Sequence, residues 1–154
     1  MKELENIHWI GGLAPDADRF SGTVNTDVFE VQGEGAVFLI WYGTNGSNGA
    51  STLTIEACDD TTPTNTTAIP FYYRTSTTFD TWGSWTAATS AGITVGGSAD
   101  SMWQIWVPAS ELASEGYAYV QADLVESTDQ AADGMVLAGV VNPRYKVQPS
   151  SLID

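Results

Sequence analysis

The chain has 154 residues, 19 acidic and only 5 basic, for a formal net charge of −14. That length is one domain, and that charge repels phosphate backbones and excludes a nucleic-acid binder. The acidic residues are scattered and aromatics make up 11%, which excludes a disordered acidic tail and describes a folded domain with a solvated surface.

Residues 1–6 lack the basic start and apolar run of a secretory signal. No stretch approaches the ~20 apolar residues that cross a bilayer, so no membrane partner is expected. Residues 1–21 show no strand periodicity and read as an N-terminal arm over the surface, with Trp9, Ile10 and Phe20 as its apolar anchors and His8 beside them. On this reading, residues 1–20 are dispensable for folding. Residues 22–142 carry the domain. Strands are expected near residues 24–31, 36–42, 51–58, 69–74, 85–89, 101–107, 117–125 and 135–141.

The run from Ala36 to Tyr42 is continuously apolar, the pattern of a strand buried on both faces. Residues 43–49 hold two Asn-Gly pairs, which supply the positive φ angles of a tight hairpin between the second and third strands. The third strand alternates Leu53, Ile55 and Ala57 with Thr52, Thr54 and Glu56. Near the eighth tenth of the chain, Pro108 and Ser110 start one helical turn that Gly116 ends. Then Ala118, Val120, Ala122 and Leu124 face inward, opposite Tyr117, Tyr119, Gln121 and Asp123. The fold class is all-β: a single β-sandwich or jelly-roll-like barrel of about 7–8 strands with extended terminal arms. Residues 143–154 form a C-terminal tail, in which Arg144, Tyr145 and Lys146 are the richest basic spot.

No constellation carries catalysis, so the chain does not read as an enzyme. His8 is the only histidine and has no nucleophile in a motif beside it. One Cys, Cys58, and one His cannot build a zinc site, and no disulfide can form within the chain. Asp59-Asp60 lacks the spaced acids of a Ca²⁺ loop and suits a turn cap. Glu56, Asp60, Asp80, Asp100 and Asp123 are available for a glycosidase pair, but the sequence does not place any two of them together, so a hydrolase is left open without support. No cofactor or metal is expected. Six tryptophans invite a carbohydrate-binding reading. Trp41, Trp103 and Trp106 sit in apolar strands that suit a core, which leaves Trp82 and Trp85, flanking Gly83-Ser84, as the surface pair for a ligand or protein contact.

Several of these words occur in a distinctive order: residues 53–60 (LTIEACDD), 71–74 (FYYR), 80–88 (DTWGSWTAA), Glu111-Leu112, 116–120 (GYAYV) and 142–145 (NPRY). Together they resemble the tailed-bacteriophage head decoration (cement) proteins encoded near the major capsid protein. The resemblance implies a virion structural protein, made in the host cytoplasm without a signal peptide. It implies a homotrimer that binds the outer capsid surface and bridges capsomers, with the major capsid protein as partner. Trp9, Ile10, Phe20, Trp82, Trp85, Arg144, Tyr145 and Lys146 are the candidate interface residues. A tail or neck protein of the virion and a carbohydrate-binding β-sandwich module are the alternatives.

Overall fold

A computed structural model of the chain describes residues 6–43, 48–76, 78, 80–97 and 100–143. Among the described residues, twelve strands form two antiparallel six-stranded sheets packed face to face. Sheet I holds β1 (Ile7–Asp16), β12 (Gly134–Val141), β4 (Gly35–Tyr42), β10 (Ser101–Pro108), β7 (Phe71–Ser76) and β8 (Thr86–Ala88), in that spatial order. Sheet II runs from β2 (Thr23–Asn25) through β11 (Tyr119–Thr128) and β5 (Ala50–Cys58) to β6 (Thr66–Ala68). Within it, β3 (Phe29–Glu30) also pairs with β11, and β9 (Ile93–Gly96) with β5. A helix, α1 (Ala109–Glu115), follows Pro108 and ends on Gly116 in the left-handed conformation. This is a sandwich and not a closed barrel: β1 and β8 are left as the open edges of sheet I.

Period-2 alternation places one side of each sheet in the core. Sheet I contributes Phe38, Ile40, Ile105, Ala138 and Val140, and sheet II contributes Leu53, Ile55, Val120, Ala122 and Leu124, all fully buried. Ring contacts tie the layers together. Phe29 meets Phe38 at 5.7 Å between centroids, and Phe20 stacks on Tyr42 at 4.3 Å with the planes 6° apart. Gly134 makes room for that stack, since a Cβ there would collide with the Phe20 ring.

Three expectations are corrected. The Asn-Gly loop joins no hairpin: β4 lies in sheet I between β12 and β10, whereas β5 lies in sheet II. The chain crosses between layers there, and residues 44–47 are outside the described set. The expected N-terminal arm is largely an edge strand, β1, paired with β12 from Ile7↔Val141 to Asp16↔Gly134. Register shifts between Ile10 and Gly12, and between Leu13 and Asp16, break its alternation, which is why no strand period shows in its sequence. The expected strand at residues 24–31 is divided into β2 and β3, with Thr26 Oγ1 accepting from the Ala122 amide in the gap at 2.9 Å.

Candidate site: the outer face of sheet I

The core strands of sheet I have a second side, and it is apolar. Outward positions on β4 are Gly35, Val37, Leu39 and Trp41, on β10 they are Met102, Gln104, Trp106 and Pro108, and on β12 they are Met135, Leu137, Gly139 and Val141. Register aligns them in rows across the sheet. Met102 and Met135 flank Trp41, Gln104 and Leu137 flank Leu39, and Trp106 and Gly139 flank Val37. The outer strands extend the rows with Arg74 beside Gln104, Tyr72 beside Trp106 and Trp9 beside Gly139. No Asp or Glu occupies an outward position on β4, β7, β10 or β12.

Two glycines flatten this face. A Cβ on Gly35 would meet Trp106 Cη2 at 2.6 Å, and one on Gly139 would meet Trp9 Cε3 at 3.2 Å. Each indole therefore lies across the bare backbone of a neighbouring strand instead of standing off it. Between the rows, Leu39, Trp41, Met102 and Met135 line a hollow of about 370 Å³ with apolar walls. Sheet II differs in kind, since its outward residues include Thr52, Thr54, Glu56, Gln121 and Asp123. Of the two outer faces, that of sheet I is the more apolar.

At the β7 end, Arg74 organises the two candidate tryptophans. Its guanidinium carbon lies 5.1 Å from the Trp82 ring centroid and 4.8 Å from that of Trp85, while its Nε donates to Gln104 Oε1 at 2.7 Å. Trp82 is half-buried and Trp85 is 46% exposed. The connection after β7 is thus pinned to the sheet by cation–π contacts, each about 0.5–1 kcal/mol at an exposed site.

The other candidate interface residues separate. Trp9 is 41% exposed and joins the apolar face, but Ile10 (4%) and Phe20 (1%) are core side chains. Neither can anchor the chain on a partner, because each already fills the space between the sheets. Arg144, Tyr145 and Lys146 lie outside the described residues. Sequence reasoning assigned Trp41 and Trp106 to the core, where only Trp103 packs, against Tyr73 at 5.9 Å. Both faces of β4 and β10 are apolar, so alternation could not say which side was inside.

The polar candidates resolve into structural roles. Asp59 accepts from the Thr64 amide, the Thr64 hydroxyl and the Asn65 side-chain amide, and Asp60 accepts from the Thr62 amide at 2.6 Å. Hydrogen bonding led by Asn65 lowers the Asp59 carboxyl to about 2. Among the described residues no group of three or more His, Cys, Asp or Glu is placed to hold a metal ion. Cys58 is buried, and burial pushes its thiol up to about 12, so it stays protonated and unreactive in the folded protein. Glu56 and Asp123 stand on the outer side of sheet II, on the paired strands β5 and β11. A separate open groove of about 450 Å³ runs between α1 and the segment after β3. Its leading polar contact is Gln32 Nε2 donating to Glu30 Oε2 at 2.6 Å.

No family model and no curated protein matches this chain. Among solved structures it is similar to the SPBc2 prophage-derived protein YomS, with 16% identity, 88% of this chain and 92% of that one covered, and a TM-score of 0.44. It is also similar to a chain in the structure of infectious bursal disease virus Gx strain, with 16% identity, 95% of this chain covered and a TM-score of 0.37. The similarity spans 35% of that longer chain. Among the described residues, no helix is long and apolar enough to cross a membrane.

Proposed function

We propose that this chain is a structural protein of the tailed-phage virion, a decoration (cement) protein that lies on the outer capsid and bridges capsomers. The observation that carries the reading is the carboxylate-free, aromatic outer face of sheet I on a chain of net charge −14. Contiguous apolar surface of this kind marks a protein-contact site, and Trp, Tyr and Met are its usual anchors. The ordered words shared with the phage decoration family support the same reading. The major capsid protein is the partner this implies, and no bond-making chemistry is required of the chain.

Mass spectrometry and cryo-EM of purified particles test the proposal. Copies numbering in the hundreds on the shell are the expected result, and absence from the particle overturns it. A ring of a few copies at the neck assigns the chain to the tail or neck instead. A carbohydrate-binding module is the second reading, favoured by Trp85 and Tyr72, which are 46% and 43% exposed. Saturable binding on a glycan array that Trp85→Ala abolishes selects it.

A further inference from the structure

The apolar face of sheet I needs an occupant, and its charge, shape and area all bear on which one. We infer that it is a second copy of this chain, packed face to face about a two-fold axis. The inference takes from the proposed function only that this face is a protein contact.

Charge comes first. A foreign partner drawn to so acidic a chain would bring basic groups, and this face offers them no carboxylate at any outward position of the adjacent strands β12, β4, β10 and β7, where the charged side chain is Arg74. A self-matching contact needs no opposite charge, because the same patch serves both partners. It does need a patch from which like charges have been removed. This is the side of the sandwich that meets that need, whereas sheet II carries Glu56 and Asp123 outward.

Shape agrees. Sheets stack at about 10 Å when their facing side chains lie low and interdigitate. Trp9 and Trp106 lie flat over glycines, while Leu39, Trp41, Met102 and Met135 leave a hollow of about 370 Å³ for side chains of a facing sheet.

Area is sufficient. Five strands about 4.8 Å apart and eight residues of about 3.4 Å each give a footprint of roughly 650 Å² per copy. Stable interfaces bury about 800 Å² per partner, with a lower bound near 600 Å². Side-chain relief and the neighbouring Trp82–Arg74–Trp85 stack bring the face to that size. A two-fold pair would bury this face between its copies and present its remaining surfaces to the capsid in duplicate. It differs from the three-copy assembly that the family resemblance implies.

The test uses the full chain in solution without capsid. Sedimentation velocity from about 1 to 100 µM should give twice the 16.4 kDa chain mass, an affinity range normal for interfaces of this size. Leu39 and Leu137 are cross-strand neighbours on the face. Leu39→Glu or Leu137→Glu should weaken the pair roughly 100-fold or more, because a carboxylate would be buried without a partner. Circular dichroism should show the fold retained, since neither side chain enters the core. Thr54→Glu, outward on sheet II, should leave the mass unchanged. Should both leucine variants fail to fold, dilution of the wild type supplies the readout: tryptophan emission must shift to the red as Trp9, Trp41 and Trp106 become wet. A monomer across the range, a three-copy mass, or a pair insensitive to both charges overturns the inference. A pair that never binds capsid leaves the inference standing and removes the virion proposal. A monomer found on capsids does the reverse.

Discussion

Phe20 shows how much one side chain decides in this chain. It is 1% exposed, stacks on Tyr42 and rests against Gly134, so it joins the segment after β1 to two strands of sheet I. Phe20→Ala would leave a cavity that a β-sandwich cannot collapse. A loss of roughly 3–5 kcal/mol follows, or roughly 6–20 °C in Tm for a domain of this length, to be read by calorimetry. Asp59 works on a smaller scale. Its hydrogen bonds hold the carboxyl near 2, against a free value of 3.8. A lowered folded value means that the ionised form is favoured by folding. Its contribution is therefore complete above the free value and is lost as pH falls towards 2. Between pH 5 and 2, thermal melts of Asp59→Asn should lose less stability than those of the wild type. Equal slopes would mean that the turn draws nothing from this charge.

At the scale of elements, β1 is the part of the fold that its sequence hides. A strand is recognised by alternation, and two register shifts beside Gly11-Gly12 and Ala14-Pro15 interrupt it. The central strands were legible because each is long and uninterrupted: β4, β5, β10, β11 and β12 all stand within two residues or so of their expected starts. Which strands they pair with was not. Asn-Gly signals a sharp turn but does not choose the next strand's partner, and here the next strand, β5, belongs to the opposite sheet. The candidate site was half legible for a related reason. Tryptophan in an apolar strand signals contact, but with both faces of β4 apolar the sequence cannot say whether that contact is the core or another molecule. The hidden strand carries a prediction. Deleting residues 1–16 removes the edge that covers β12 and strips Ile10 from the core. The truncated chain should melt far below the intact one and aggregate through the bared β12 edge, as turbidity on heating would record. A truncated chain with an unaltered Tm would return these residues to the status of a dispensable arm.

For the whole molecule, charge and apolar surface act in opposition, and salt separates them. Two chains of net charge −14 repel at long range, while the face that joins them gains from burial and contributes almost no charge of its own. Raising ionic strength from about 0.01 M to 0.15 M shortens the screening length from roughly 30 Å to 8 Å. That removes most of the repulsion and leaves the apolar attraction intact. Self-association should therefore tighten with salt, by about tenfold or more across that range if screening relieves 1.4 kcal/mol or more of repulsion. Docking that relied on an acidic surface meeting a basic one would loosen over the same range. Equilibrium sedimentation at three salt concentrations, with and without capsid, measures both signs in one experiment. A solution pair that weakens with salt would mean that complementary charges hold it, and the outer face of sheet I could not then be its principal contact.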